Sequence, residues 1–170
     1  MQSNNIVLIG FMGVGKGSLA RALARKTGMF AVDTDDLIES LENRTIKRIF
    51  KKEGEEYFRE LEKKVARWLE QGVSNCIIST GGGFHMVENL NRIGTVVYLR
   101  SDFDSIVERL LAHPNAKKKI DKRPLLKNRK KARELFARRV PEYERRADII
   151  IDVTDKRIPV ILEELLAKLG

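Results

Sequence analysis

The sequence has few features that would cross-link the chain or hold it in a membrane. Its 170 residues contain one cysteine, Cys76, which excludes an internal disulfide and fits a reducing compartment. No apolar run reaches the roughly 18 residues that a membrane-spanning helix requires, and no charged segment precedes an apolar signal-peptide core. We therefore expect a cytoplasmic protein without membrane partners. The length fits one domain, over residues 1–170, around one hydrophobic core.

Positive charge is in excess, but only in one part of the chain. The net charge is +9; residues 113–146 contain 14 Lys or Arg against 4 Asp or Glu, whereas the remaining residues contain 19 against 20. Such a segment can close over a polyanionic small molecule such as ATP, bind nucleic acid, or form a solvated surface. No recognition motif and no aromatic platform accompany its lysines, so we expect no nucleic-acid partner.

Short apolar runs alternate with helical patterns along the chain. The apolar runs predict five buried strands, at 6–9, 30–33, 76–79, 95–99 and 149–151. The helical spacing predicts helices near 15–27, 36–43, 45–52, 55–71, 103–111, 128–147 and 158–169, the last but one kinked or interrupted by Pro141. The polar segment 113–124 indicates a mobile loop. The alternation predicts an α/β fold, with a five-stranded parallel sheet flanked by helices on both faces.

The sequence Gly-Phe-Met-Gly-Val-Gly-Lys at 10–16 has the form of a P-loop. It follows a predicted buried strand and begins a predicted helix, which is the context that this motif requires. The glycines let backbone N–H groups surround an anion, and the helix N-terminus adds partial positive charge. Lys16 can reach the β- and γ-phosphates of a nucleotide. The residues predicted to bind the phosphates are Gly13, Val14, Gly15, Lys16, Gly17 and Ser18.

One position of the P-loop departs from the usual pattern. The motif has Ser or Thr directly after its lysine, and the hydroxyl of that residue binds Mg²⁺; here the position is Gly17, and Ser18 comes one place late. Consecutive residues differ by about 100° around a helix, so Ser18 does not simply replace the missing hydroxyl. Another water can take the place of the hydroxyl. We expect phosphate binding to survive, whereas metal affinity and turnover depend on this substitution.

Two further motifs follow predicted strands. Asp33 and Asp35 lie at the carboxyl end of the second strand, where ligands bind in doubly wound sheets. If the strand continues, both carboxylates point the same way; one can hold Mg²⁺ through water and the other can contact an acceptor hydroxyl. The alternative is that Asp35 caps a helix. Three glycines at 81–83 follow the third strand, and they either let a substrate lie against the backbone or form a simple loop.

Six motifs in one order are far more specific than any one of them. They are Gly-Phe-Met-Gly at 10–13, Asp-Thr-Asp at 33–35, Phe58-Arg59, Gly-Gly-Gly at 81–83, Arg-Pro-Leu-Leu at 123–126 and Arg-x-Pro-x-Tyr at 139–143. In these motifs, from residue 6 to about residue 159, the sequence resembles the shikimate kinase family. The resemblance implies a P-loop kinase that transfers phosphate from ATP to the 3-hydroxyl of shikimate, in the pathway to chorismate and the aromatic amino acids.

The resemblance also implies roles for individual residues. The residues implied to be catalytic are Lys16, Asp35 and Arg123. Arg123 belongs to a mobile lid over 112–126, and the helices implied to bind the substrate lie over 34–62. Asp33 holds Mg²⁺ through water. Arg109 and the Lys156-Arg157 region flank adenine. The residues implied to bind shikimate are Asp35, Arg59, Gly81, Gly82, Gly83 and Arg139, and those implied to bind ATP outside the P-loop are Arg109, Arg123 and Arg157.

Two other functions remain open on the sequence. One is another small-molecule kinase, similar to gluconate kinase, although the Asp-Thr-Asp, Gly-Gly-Gly and Arg motifs argue against it. The other is a nucleotide-binding module whose catalysis is weakened by Gly17. We assign no role to His85, His113 or the lysines at 117–119, and we expect a monomer.

Overall fold

The computed structural model describes residues 3–170, except for the side chains of residues 124 and 125. These two residues belong to the predicted lid, so the predictions about their side chains lie outside the described part of the chain. Five parallel strands form one sheet in the order β2-β3-β1-β4-β5, which confirms the predicted sheet. The strands are β1 (Ile6–Ile9), β2 (Phe30–Asp33), β3 (Cys76–Ser79), β4 (Thr95–Arg100) and β5 (Ile149–Asp152).

Two groups of helices flank the sheet. Helix α1 packs against α8 and against the first three strands, while α4 and α7 pack against β4 and α3 packs against α4. None of the helices in the described part of the chain is both long and apolar enough to cross a membrane. The helices are α1 (Lys16–Thr27), α2 (Thr34–Glu42), α3 (Ile46–Gly72), α4 (Leu90–Ile93), α5 (Phe103–Ala112), α6 (Ala116–Asp121), α7 (Arg129–Arg146) and α8 (Ile158–Leu169).

The register of the sheet brings three loops together at one edge. Strand β1 lies at the centre, and all four of its residues are buried, as its unbroken apolar run requires. Ser79 at the end of β3 pairs with Leu8 on one side and with Asp33 on the other. The loops that follow β1, β2 and β3 therefore leave the sheet side by side, and these are the loops that carry the predicted site residues.

The two helices predicted over 45–52 and 55–71 form the single element α3, with a break inside it. Gly54 has a φ of 85°, in the left-handed region that glycine adopts without strain. Thr45 caps the first part, because its side chain accepts a hydrogen bond from the N–H of Arg48. After the break, the second part of α3 packs its apolar face into the core and presents an adjacent face toward the site.

The structure corrects the prediction of a loop over 113–124 and excludes one of the two outcomes predicted at Pro141, an interruption of the helix; a kink there stays a prediction. Segment 113–124 is not wholly a loop, since α6 lies within it; its residues include good helix formers, and Ala116 and Ile120 turn inward. Pro141 does not interrupt α7, which is one helix through this position. Proline removes one backbone hydrogen bond, but buried Ala132 and Tyr143 hold the helix in the core on both sides of it.

Candidate active site

The phosphate loop joins β1 to α1 and depends on glycine at two positions. Gly13 and Gly15 have φ values of 85° and 107°, which other residues adopt only with strain. A methyl group on Gly13 would lie 2.6 Å from Cδ1 of Leu110, so space also excludes a side chain there. The first turn of α1 has no acidic residue. The loop therefore presents a helix N-terminus that can accept an anion.

Lys16 is buried beneath this loop. Its Nζ donates hydrogen bonds to the carbonyl oxygens of Gly10, at 2.6 Å, and Phe11, at 2.9 Å. The pKa of Lys16 is lowered to about 7, mainly by burial and also by the charge of Arg123, while Asp33 and Asp35 act in the opposite direction. A bound phosphate would favour the charged ammonium, so this lysine is placed to respond to a nucleotide.

The structure corrects the interpretation of the two aspartates. Strand β2 ends at Asp33 and α2 begins at the next residue, so the strand does not continue through Asp35. Asp33, rather than Asp35, is the helix cap: its Oδ1 accepts hydrogen bonds from the N–H groups of Asp35, at 2.9 Å, and Asp36, at 3.1 Å. Aspartate in an extended backbone is a preferred N-cap, and this local preference ends the strand.

Asp35 lies in the first turn of α2 and points into the site. The residue is half-buried, but its Oδ1 is inaccessible to solvent and has no hydrogen-bond partner in the described structure. The pKa of Asp35 is raised to about 7, mainly by burial and also by the neighbouring carboxylates of Asp33 and Glu62, while Lys16 acts to lower it. A carboxylate with such a pKa is suited to accept a proton near neutral pH.

The three glycines after β3 each face one of the predicted substrate-binding side chains. A methyl group on Gly81 would lie 2.7 Å from Oδ1 of Asp35, and one on Gly82 would lie 3.2 Å from Nη1 of Arg139. A methyl group on Gly83 would collide with the guanidinium of Arg59. The absence of side chains on this loop lets two cations and a carboxyl group converge, so the structure brings all six of these residues together.

Arg59 is held by a residue that the sequence reasoning missed. Its Nη1 donates to Oε1 of Glu62 at 2.5 Å, and its Nη2 pairs with Oε1 of Glu55 at 3.3 Å. Glu62 is buried, and burial raises its pKa although Arg59 acts to lower it. The sequence does contain a signal for this contact, because Glu62 comes three residues after Arg59, and residues at this spacing are neighbours on one side of a helix.

Arg139 comes from α7 and is only 7% exposed, unlike the usual arginine of a surface helix. The same helix contacts the glycine loop, because the Tyr143 hydroxyl donates to the carbonyl oxygen of Gly82 at 2.5 Å. His85, which had no predicted role, is buried behind the loop, with its Nε2 2.7 Å from Oε2 of Glu142. These contacts fix α7 against the loop and so place Arg139.

The nucleotide side of the loop has a cavity of about 240 Å³. Arg109 lines it, and its Nη2 also donates to the carbonyl oxygen of Gly13 at 2.8 Å. Lys156 lines it too and forms an ion pair with Glu164 at 3.0 Å. Arg157 is exposed at the N-terminus of α8 and is not among the described residues that line the cavity. The structure thus places Arg109 and Lys156, rather than Arg157, at this cavity.

Arg123 is the residue of the basic segment on which the charges of the two aspartates act. Its Nη1 donates to the carbonyl oxygen of Lys119 at 3.0 Å. Burial lowers the pKa of Arg123, whereas the charges of Asp35 and Asp33 raise it. The guanidinium therefore faces the same space as Lys16 and the two carboxylates.

The donors available for Mg²⁺ are few. Across residues 3–170, no group of three or more His, Cys, Asp or Glu is placed to hold a metal ion. A methyl group on Gly17 would have only Nη1 of Arg21 within 4 Å, at 3.4 Å, so the place of the missing hydroxyl is open. Asp33 supplies a carboxylate beside the phosphate loop. Because Mg²⁺ keeps several waters and binds phosphate oxygens, this donor set fits a metal held mainly by the nucleotide.

The site combines three features: a P-loop after β1, carboxylates at the end of β2, and an arginine of the basic segment near both. These features define a small-molecule P-loop kinase. A family model described as shikimate kinase matches residues 12–170 of the chain. The chain therefore belongs to the shikimate kinase family, which confirms the resemblance found in its motifs.

Individual relatives agree with this assignment. The shikimate kinase of Persephonella marina is 42% identical over 171 residues, which cover 97% of this chain and 98% of the relative. The crystal structure of shikimate kinase from Aquifex aeolicus is 33% identical, with a TM-score of 0.80, over 97% of this chain and 95% of that chain. The shikimate kinase from Acinetobacter baumannii in complex with shikimate is 29% identical, with a TM-score of 0.79, over 98% and 93% of the two chains.

Proposed function

We propose that this kinase transfers the γ-phosphoryl group of ATP to the 3-hydroxyl of shikimate. The observation that carries the proposal is the convergence of Asp35, Arg59 and Arg139 on the three glycines beside the phosphate loop. Two guanidinium groups and one carboxyl group match an acceptor that has a carboxylate and hydroxyl groups.

The acceptor is positioned from both ends. Arg59, held by Glu62, and Arg139, held on α7, pair with the carboxylate of shikimate. Asp35 accepts a hydrogen bond from the 3-hydroxyl with the oxygen that has no partner in the free structure. The backbone of residues 81–83 forms the surface against which the ring lies. Positioning of this kind supplies much of the rate of a phosphoryl transfer.

The transfer then needs a proton acceptor and positive charge. The hydroxyl oxygen forms a bond to the γ-phosphorus, the bond between this phosphorus and the bridging oxygen breaks, and ADP leaves. The proton of the hydroxyl passes to the carboxylate of Asp35. Lys16 and Arg123 stabilise the negative charge on the transferring group and on the leaving oxygen. A bound Mg²⁺ supplies further neutralisation on the phosphates, and Asp33 would hold it through water.

We also propose that residues 1–170 act as one kinase domain, monomeric and cytoplasmic, with a lid over 112–126 and substrate-binding helices over 34–62. All residues assigned to both substrates come from one chain, so the site is complete without a second copy. Closure of the lid over both substrates would keep water from the phosphoryl group.

A coupled assay of ADP release tests the function. Purified protein is given ATP and Mg²⁺ with shikimate, gluconate or a nucleoside monophosphate as acceptor. We expect turnover with shikimate alone. Turnover of gluconate without turnover of shikimate would overturn the proposal, and ATP binding without turnover of any acceptor would favour the nucleotide-binding module with weakened catalysis.

Replacing Arg139 with Ala should raise the KM for shikimate by about 100-fold, because the variant loses a charge-assisted pair with the carboxylate inside a buried site. The KM for ATP should change by less than about threefold. Arg138 is the matched control, since it is the exposed neighbour on the same helix, and Arg138→Ala should leave both constants unchanged. Equal losses for both substrates in Arg139→Ala would contradict the assignment to shikimate.

Replacing Gly17 with Ser should lower the Mg²⁺ concentration needed for half-maximal activity, by about three- to tenfold, because the new hydroxyl replaces one water among the metal ligands. Gly17→Ala is the control, since it adds the methylene volume without the oxygen. Calorimetry of ADP binding at several Mg²⁺ concentrations gives a readout apart from turnover. Equal behaviour of the Ser and Ala variants would mean that the metal is not bound from this position.

A further inference from the structure

The three consecutive lysines of α6 do not have equal surroundings. Lys117 and Lys118 are exposed, whereas Lys119 is partly buried. The partly buried positions of this segment are Ala116, Lys119, Ile120 and Arg123. These positions have the spacing of one face of a helix. The segment therefore has an inner face, on which Lys119 precedes Arg123 by one turn.

This inner face adjoins the phosphate site. Arg123, which faces Asp33 and Asp35, also donates a hydrogen bond to the carbonyl oxygen of Lys119 at 3.0 Å. Helix α6 packs against α5, the helix that supplies Arg109. The guanidinium of Arg109 in turn reaches the carbonyl oxygen of Gly13 in the phosphate loop. Lys119 thus stands beside two cations that already contact the site.

The charged groups that act on Lys119 are all cations. Its pKa is lowered first by burial and then by Arg123, Arg109 and Arg21, which come from three different parts of the chain. By contrast, the nearby Lys127 forms an ion pair with Asp121 at 3.3 Å. Partial burial and the repulsion from these cations both make the charged form of Lys119 less favourable when no anion is bound. A polyphosphate between these groups would convert the repulsion into attraction.

A solvated basic face would explain Lys117 and Lys118, but it does not explain why Lys119 is partly buried with other cations near it. We propose that Lys119 is a nucleotide-binding residue of the lid, which contacts the β- or γ-phosphate of ATP together with Arg123. The inference rests on the proposed function in so far as the anion is the phosphate chain of ATP. It gives a role to one of three lysines and leaves the other two on the surface.

Steady-state kinetics of three alanine variants test the proposal. Lys119→Ala should raise the KM for ATP about tenfold, the effect expected from loss of one hydrogen bond to a charged group. Its KM for shikimate should change by less than about twofold. Lys117→Ala and Lys118→Ala remove the same charge from the same helix and should match the unmodified protein. Lys119→Arg keeps the charge and should recover most of the affinity. Equal effects of all three alanine variants would overturn the proposal.

Direct binding separates this proposal from the proposed function. Calorimetry with a nonhydrolysable ATP analogue should show about tenfold weaker binding to Lys119→Ala, with no change for AMP, which lacks the β- and γ-phosphates. An equal loss for the analogue and AMP would refute a contact with those phosphates. If the unmodified protein fails to phosphorylate shikimate, the proposed function falls, while the two titrations still decide the role of Lys119.

Discussion

Replacing Asp35 with Asn should lower kcat by about three orders of magnitude and, at the same time, make the protein more stable. The catalytic loss follows because an amide cannot take the proton of the acceptor hydroxyl, and a positioned base contributes about 10²–10⁴-fold. The gain in stability follows from the surroundings of the carboxylate, which is partly buried next to Asp33 and Glu62.

The sign of the stability effect comes from the direction of the pKa shift. The pKa of Asp35 rises from 3.8 in the unfolded chain to about 7 in the folded protein, so the folded state binds more protons between these values. Stability therefore falls as the pH rises from 4 to 7, and the loss is complete above pH 7. Asn cannot ionise, so Asp35→Asn should gain about 2 kcal/mol at pH 8, after discounting for partial exposure, and almost nothing at pH 4.

Urea unfolding at pH 4 and pH 8, beside kcat at pH 8, measures both effects. Asp36→Asn is the control, because Asp36 is an exposed neighbour in the same turn of α2. That variant should keep kcat within about threefold. A stable Asp35→Asn variant with near-normal kcat would remove Asp35 as the proton acceptor. A variant that loses activity together with stability would mean that the carboxylate has a structural role.

Replacing Lys16 with Met should lower kcat by about 10²–10³-fold, because the transferring phosphoryl group loses a positive charge inside a site that excludes water. Met has a similar length and stays apolar in the buried position. The KM for shikimate should change little, since Lys16 acts on the phosphates. Lys26→Met is a suitable control, because Lys26 is exposed in the last turn of the same helix. A Lys16→Met variant with near-normal kcat would contradict the role on the phosphates.

Lys16 also makes the stability of the unmodified protein depend on pH. The pKa of Lys16 falls from 10.5 in the unfolded chain to about 7 in the folded protein, so the unfolded chain binds more protons between these values. Stability therefore rises as the pH increases from 7 to 10, as Lys16 loses its unfavourable buried charge. Lys16→Met should abolish this rise. Since the loss from Asp35 is complete above pH 7, the combined contribution of these two groups to stability should be lowest near neutral pH.

The same features that weaken the free protein fit its activity. Asp35 has an oxygen without a partner, Lys16 has its charge disfavoured by burial, and Lys119 stands among other cations. A hydroxyl group and a phosphate chain would satisfy these groups. We therefore expect each substrate, at concentrations above its Kd, to raise the free energy of unfolding.

Local patterns were enough to predict the sheet and the phosphate loop. Strand β1 is a run of four apolar residues that must be buried on both faces, and the glycines after it are needed for the turn around an anion. The motifs after β2 and β3 could be placed beside this loop, because parallel strands bring their carboxyl ends to one edge. Strand spacing and backbone freedom are properties of short stretches of sequence, so they do not depend on distant residues.

Other features depended on contacts between distant parts of the chain. The capping role of Asp33 was misassigned because strand and helix preferences compete at this position, where Asp33 both pairs with Ser79 of β3 and caps α2. The partial burial of Lys119 and the continuity of α7 through Pro141 depend on packing against other elements, which no local pattern encodes.

The sequence by itself determined that phosphates bind here, because a strand, a glycine-rich turn and a helix start are contiguous in the chain. It also determined, through the order of its motifs, the family to which the chain belongs. Only the tertiary structure decided which groups are charged and which are held in place. Burial, and the charges brought near from other elements, set the pKa values of Asp35 and Lys16, and Tyr143 fixes α7, and with it Arg139, through a contact that forms only when α7 and the glycine loop meet.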